Sequence, residues 1–212
     1  KVPGCSQISD AAELYGFASI VNGTDGFEID SVACGKLTKD IVVNENVLDE
    51  NGNLNVADTA SFAQWTPIMK FRGKFNGNSH KISGLYIDTK EPRYVGLFGL
   101  IRPSIDDGIV DIRNLGIEGS FFRAGDYVGA FVGFIEGGSV VNIENCYSHS
   151  RIESHGFAVG GFVGYSLANV QLKTVHNLGP VMGERFIGGL VGYLNGQNLK
   201  IINAYNMGAI TS

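Results

Sequence analysis

No stretch of this 212-residue chain approaches the roughly 18 consecutive apolar residues of a membrane-spanning helix, so membrane insertion is not expected. Nor does a basic, apolar, small-residue leader stand at its front; the chain opens on Lys1, which is read as a leader already processed or cut away. Charge is scarce as well: Asp, Glu, Lys and Arg make up 17% of residues, against about 25% in ordinary domains. Sixteen basic against twenty-one acidic residues leave a net charge of −5 with no run of Lys or Arg. Nothing here would neutralise a phosphate backbone, so nucleic acid is not an expected partner, and polyanions are poor ones. The three cysteines and four histidines form no C-x-x-C, H-E-x-x-H or Cys/His cluster, so no metal and no cofactor is expected. A nucleophile elbow, triad order, phosphate loop and dinucleotide fingerprint are missing too. Enzymatic readings are weakened, not removed, because polysaccharide lyases and hydrolases built on β-helices assemble acids and bases from several coils without a linear motif.

Glycine, in contrast, is abundant: 30 of 212 residues, roughly twice its usual share. Internal repetition explains why. One series runs I-S-G-L-Y-I from Ile82, I-R-N-L-G-I from Ile112, I-E-N-C-Y-S from Ile143, V-H-N-L-G-P from Val175 and I-I-N-A-Y-N from Ile201. Its third positions, Gly84, Asn114, Asn145, Asn177 and Asn203, step by 30, 31, 32 and 26 residues. A second series falls between: V-G-L-F-G-L from Val95, V-G-A-F-V-G-F from Val128, V-G-G-F-V-G-Y from Val159 and I-G-G-L-V-G-Y from Ile187. Both segments are short, β-branched and aromatic, without the 3.6-residue spacing of a helix. Two strands and two turns in about 30 residues make one coil of a parallel β-solenoid, in which equivalent side chains stack in columns about 4.8 Å apart. Parity breaks at the asparagine, so Asn114, Asn145, Asn177 and Asn203 are expected to stack as a ladder at one corner, where Asn tolerates the left-handed conformation.

Residues 1–33 read as an N-terminal cap and 34–212 as the repeat body. From Asp10, D-A-A-E-L-Y-G-F-A-S-I-V has Asp10 and Glu13 at capping-box spacing and Ala11, Leu14, Tyr15, Ala18 and Val21 on one helical face. A solenoid leaves an open core at each end, so this short helix is expected to be a lid over the first coil. The segment Gly35 to Val43 gives a strand, followed by a polar loop. Past the last asparagine segment there is no such lid, and either further coils or another chain is expected there. Cys5 and Cys34 flank the helix and are a candidate disulfide, a reduced pair being the alternative. Cys146 falls in an inward column with Leu115, Leu178 and Ala204, as a buried hydrophobe. Asp49, Asn51, Asn53 and Asn55 alternate like calcium-loop donors, but the glycine is misplaced and the bidentate Glu missing, so a polar surface loop is expected.

The motifs V-G-A-F-V-G, V-G-G-F-V-G and I-G-G-L-V-G, with I-E-N-C-Y-S and I-N-A-Y-N-M-G between them, resemble the GLUG-type repeats of bacterial secreted and surface proteins. The lead-in of L-T-K-D-I, W-T-P-I and F-R-G-K-F-N-G-N-S-H-K-I-S-G-L-Y-I is similar to that family as well. The resemblance covers about residues 34–210. It implies an all-β, right-handed parallel β-helix, exported to the cell surface or secreted, usually among further domains of a longer adhesin-like chain or beside polysaccharide-degrading modules. It carries no catalytic motif that transfers to these residues.

Outward columns are where a solenoid places function. Ser83, Arg113, Glu144, His176 and Ile202 read as one column, a weak ion-pair ladder. Arg93, Asp126, Glu153, His155, Glu184 and Arg185 read as solvated corners, and Phe134, Tyr165 and Tyr193 as core or corner packing. Beyond the asparagine bend, Tyr86, Gly116, Tyr147, Gly179 and Tyr205 form one column and Asp88, Glu118, His149, Val181 and Met207 the next. Rings beside glycines are a packing device; rings beside carboxylates and an imidazole are also the elements of a sugar-binding surface. Tyr86, Asp88, Glu118, Tyr147 and His149 are therefore the candidate site for a polysaccharide or cell-surface glycan. The expected function is a noncatalytic extracellular adhesion or carbohydrate-contact module, with a polysaccharide-active lyase or hydrolase, or a purely structural stalk, as alternatives.

Overall fold

The computed structural model describes residues 4–91, 93–104, 108–196 and 198–212. Strands from successive coils pair in parallel throughout the repeat body. The chain is thus a parallel β-helix. Its main sheet runs through seven strands in chain order: Ser6–Ile8, Cys34–Leu37, Lys74–Ser83, Val110–Ala124, Val140–Ser154, Asn169–Asn177 and Leu199–Ile202. The glycine-rich series forms two further stacks. Val128–Gly129, Val159–Gly160 and Ile187–Gly188 make one; Phe98–Ile101, Val132–Ile135, Val163–Ser166 and Val191–Leu194 make the other. Each full coil therefore carries one long bent strand and two short ones, where the repeat spacing alone suggested two strands.

The core is a set of columns. Ile112, Ile143 and Leu172 are in register, as are Phe122, Ile152 and Val181, and all are buried. Phe131 and Phe162 stack with centroids 4.6 Å apart and planes 3° apart. Such apolar columns supply the main stabilisation, since each buried side chain contributes roughly 1.5–3 kcal/mol. Gly129 and Gly160 make the approach of the short strands possible. A Cβ on Gly129 would lie 2.5 Å from the Val132 carbonyl oxygen, and one on Gly160 would lie 2.2 Å from that of Val163.

The bend in the long strand is a column of left-handed residues: Asn114 (φ 54°), Asn145 (52°), Thr174 (53°) and Asn203 (50°). Asn145 donates from Nδ2 to Asn114 Oδ1 at 3.2 Å, and Asn114 in turn to Asn76 Oδ1 at 3.1 Å. The ladder exists, but Asn177 is not in it. Cys146 pairs with Val175, not with Leu178, so Thr174 stands in the asparagine position. Asn177 lies three residues further on, fully buried in line with Ser148 and Asn206. There it donates from Nδ2 to the Gly179 carbonyl at 2.7 Å and to Asn206 Oδ1 at 2.8 Å. Gly84 is likewise outside the asparagine corner. Ile82 pairs with Ile117 and Tyr86 with Phe121, which places Gly84 (φ 72°) level with Gly119 (φ 52°) at a second bend.

The helix Ala11–Asn22 covers the first coils. Asp10 caps it by accepting from the Glu13 amide at 2.8 Å, while the Glu13 carboxylate accepts from the Ser9 amide and hydroxyl. Leu14, Phe17, Ala18 and Val21 are buried, with Ala11 and Tyr15 packed against the same core. Phe17, outside the expected apolar face, meets Phe71 and Phe75. The strand Ser6–Ile8 precedes the helix and pairs with Cys34–Leu37, and Cys5 is disulfide-bonded to Cys34. Cys146 is free and buried, and burial pushes its thiol up to about 12. Asp49 Oδ1 accepts from the amides of Asn51 and Asn53, closing a surface loop on itself.

Three outcomes follow for experiment. Alkylation without reductant should label no cysteine in the native protein and one, Cys146, after denaturation. Reduction should destabilise the fold by up to about 3.5 kcal/mol, the loop-closure value for a ring of this size. Thr174→Asn should raise stability by about 1 kcal/mol in thermal or urea unfolding, because a β-branched residue is strained at positive φ and the amide would join the ladder.

Candidate functional site

The sheet between the two bends carries the candidate face. The left-handed corner resets side-chain parity, so Gly116, Tyr147, His176 and Tyr205 point outward in one column, followed by Glu118 and His149 two positions on. Lys81 stands level with Gly116, and Ser83 with Glu118.

Of the five candidate residues, three come together. Tyr147 Oη donates to Glu118 Oε1 at 2.7 Å, His149 is in register with Glu118, and the Tyr147 and His149 rings lie 5.1 Å apart. Tyr86 is elsewhere. It is 4% exposed, in a small apolar cluster with Val47 and Phe121, and its ring meets Phe62 edge-on at 5.2 Å. Asp88 is also beyond the second bend, in register with Arg123 and held by it through two bonds of 2.8 and 2.7 Å. Arg123 continues to Glu153, itself bonded by Arg151, and its guanidinium covers the Phe121 ring. Asp88 thus belongs to a structural ion-pair network. Both displacements share one cause: I-S-G-L-Y-I is the counterpart of I-E-G-S-F-F from Ile117, not of I-R-N-L-G-I.

Lys81, His176 and Tyr205 take the vacated places. Lys81 Nζ donates to Glu118 Oε2 at 2.7 Å. The Tyr147 and His176 rings are stacked at 5.5 Å and 9°, and His176 and Tyr205 at 5.1 Å and 6°. His176 was expected in the ion-pair column; Lys173 occupies that place and pairs with Glu144. Aligning the repeats on Cys146 and Val175 instead of on their asparagines would have revealed this.

Burial opposes ionisation of Glu118, but hydrogen bonds from Lys81 and Tyr147, with the charges of Lys81 and His149, outweigh it and hold the carboxyl below its ordinary range. Burial, then the bond to Glu118 and its charge, push the Tyr147 phenol well up, so it keeps its proton at neutral pH. Burial and neighbouring His149 lower the His176 imidazole and keep it neutral. Asp40 extends the row, lowered chiefly by the hydrogen bond from the Lys81 amide and lying 3.0 Å from His80 Nδ1. The face thus presents an engaged carboxylate, an ammonium, a protonated phenol and imidazoles. That set suits hydrogen bonding to hydroxyls better than proton transfer.

The faces of Tyr147 and His176 are occupied. Tyr147 has His176 on one side and the bare backbone of Gly116 on the other, where an added Cβ would come within 2.3 Å of its ring. These two rings offer edges, not faces, to solvent.

No family model matches the chain. A stretch of 85 residues is 34% identical to a protein of Evansella cellulosilytica named "Putative Gly-rich membrane protein", covering 38% of this chain and 9% of that protein. The chain therefore spans only a small fraction of that relative's length. Its fold is similar to the "Crystal structure of a putative immunoglobulin A1 protease from Bacteroides ovatus", with a TM-score of 0.62 over 99% of this chain and 68% of that chain, at 17% identity. At that identity the likeness shows the fold alone. Among the described residues, no helix is long and apolar enough to cross a membrane.

Within the row, the lowered Glu118 and His176 make stability rise with pH. Glu118 contributes fully above the ordinary carboxylate range of about 4 to 5 and loses that contribution as pH falls through its depressed value. His176 does the same one step higher, contributing above about 6.5 and losing it as pH falls through its own lowered value. Unfolding free energy measured from pH 8 down to 3 should fall accordingly. His176→Phe should flatten the upper part of the curve and Glu118→Gln the lower. Gly116→Ala should cost about 1–3 kcal/mol by displacing the Tyr147 ring.

Proposed function

We propose that the chain is a noncatalytic carbohydrate-contact or adhesion module of GLUG-type repeats, displayed on a bacterial surface or secreted within a longer protein. The observation that carries this reading is the row Lys81, Glu118, Tyr147, His149, His176 and Tyr205. It sets charged and hydroxyl-bearing groups on adjacent coils of a rigid sheet, spaced by strand pairing at about 4.8 Å. Hydroxyls of a sugar chain laid along the axis would meet one such group per coil. The Cys5–Cys34 disulfide supports an oxidising location. The glycine-rich membrane protein and the immunoglobulin A1 protease named above support a surface or secreted setting.

Hydrogen bonds, not ring stacking, carry affinity here, because both faces of Tyr147 are covered. Such contacts are weak singly, and repetition along a longer protein would supply avidity. The covered faces also favour a second reading, a structural stalk in which the rings serve only to pack coils. The polysaccharide-active enzyme is less well supported: Glu118 is already engaged by Lys81 and Tyr147, and the residues of this row line none of three concavities found elsewhere on the molecule.

A glycan array and retention on insoluble polysaccharides separate the three. Retained glycan without cleavage is expected, with Glu118→Gln and His149→Ala each weakening retention by about 1–2 kcal/mol. Tyr147→Ala and His176→Ala should weaken it comparably, whereas Asp88→Asn, outside the row, should not. Depolymerised product would instead establish an enzyme, and a parent that retains nothing leaves the stalk.

A further inference from the structure

A second array of rings lies on the opposite side of the coil, outside the glycine-rich strands. Tyr94, Phe134, Tyr165 and Tyr193 stack in sequence with centroids 4.9, 5.2 and 5.2 Å apart. Tyr127, Phe157 and Phe186 interleave with them. The column expected as mere packing is thus a half-exposed aromatic ridge.

At one end the ridge stops. The preceding coil pairs through Ile68 with Phe98 and through Phe71 with Ile101, which sets Lys70 opposite Leu100, while the Trp65 amide bonds the Tyr86 carbonyl, so only Thr66 and Pro67 lead from the level of Ile87 to that of Phe98 and nothing there answers to Tyr94. That coil therefore has no ring at the array's positions. In its place is a pocket of about 730 Å³, within the usual range of small-molecule sites. Tyr94, Tyr127, Ile87, Val95, Pro67 and Met69 form its apolar walls, with Trp65 behind them and Gln64, Thr66, Thr89 and Arg93 as its polar groups. Unlike Tyr147, the Tyr94 ring has an aromatic neighbour on the later coil and the pocket beside it. Arg93 is exposed and makes no ion pair with any described residue. Its guanidinium, without a partner among the described residues, stands at the mouth of an apolar pocket.

We infer that this pocket is a subsite for a single acidic sugar residue, its ring lying against Tyr94 and Tyr127 as the missing ring of the array and its carboxylate bound by Arg93. A pyranose offers C–H groups to the aromatic wall and hydroxyls to Thr66, Thr89 and Gln64, and a guanidinium matches a carboxylate in two parallel hydrogen bonds. The net charge of −5 repels a polyanion, which restricts the fit to an isolated acidic residue such as a chain end. The choice of a sugar rests on the carbohydrate reading above; the pocket and its cation do not.

Trp65 is the chain's single tryptophan and lines the pocket, so its fluorescence reports occupancy. Titrating the intact chain with N-acetylneuraminate and with glucuronate should give a saturable change in emission, with saturation-transfer NMR showing ring protons in contact with protein. Methyl glucoside should bind at least about tenfold more weakly, and Arg93→Gln should remove that preference, with Arg93→Lys restoring part of it. Glu118→Gln should leave it intact. If neither acid binds, or if acid and glucoside bind alike to the parent, or if Arg93→Gln binds as the parent does, the inference is overturned. Loss of array binding in Glu118→Gln with no acid binding here sinks this subsite while sparing the proposed face; acid binding here with an unaffected Glu118→Gln on the array does the reverse.

Discussion

Register is the constraint on which this molecule depends. A parallel strand buries its apolar side chains only if each coil repeats the parity of the one beneath, and a slip of one residue would turn Ile112, Ile143 and Leu172 out to solvent together. The left-handed corner at Asn114, Asn145, Thr174 and Asn203 fixes where parity is reset. The Lys81–Glu118–Tyr147 row inherits its alignment from that reset, while the aromatic ridge takes its own from the pairing of the short strands. The same repetition makes glycine indispensable at Gly129 and Gly160, where carbonyls of neighbouring segments occupy the space a side chain would need.

The two outward ring systems show how one packing rule yields different surfaces. On the main sheet, Tyr147, His176 and Tyr205 stack face to face with bare backbone beneath, so their chemistry lies at their edges beside Glu118 and Lys81. On the other side the stack ends against a coil lacking rings, and a cavity with aromatic walls appears. Stacking consumes ring faces wherever it is continuous and exposes a binding wall where it is interrupted. The ends of ring columns are therefore the places to look for ligands in a molecule of this type.

Much of this was legible in the repeats. The glycine series showed the register observed, though it read as one strand per coil where two short ones form, and the N-terminal segment announced its helix, its cap and a candidate cysteine pair. The candidate face was legible only in part. Asparagine looks like the invariant of each coil, yet the corner's physical requirement is a positive φ, which Thr174 meets at some strain while Asn177 serves a different, buried role. One misplaced asparagine moved His176 to the wrong column. A similar motif around Gly84, which answers to Gly119, carried Tyr86 and Asp88 past the second bend into packing and ion pairing. The pocket at Arg93 left no linear trace, because it is defined by what the short passage through Thr66 and Pro67 and the Lys70 position fail to supply.

The bond between Cys5 and Cys34 has a mechanical meaning. In a stack of parallel strands, tension along the chain peels coils from an end one at a time, each yielding a few hydrogen bonds before the next is loaded. The strand Ser6–Ile8 cannot be peeled in this way, since tension arriving from before Cys5 passes through a covalent link straight to the strand that opens the second coil. The helix between the two cysteines is shielded from that tension altogether. A pull on this side of the molecule thus enters at Cys34, and it must part Cys34–Leu37 from Lys74–Ser83 before the first strand or the lid is disturbed.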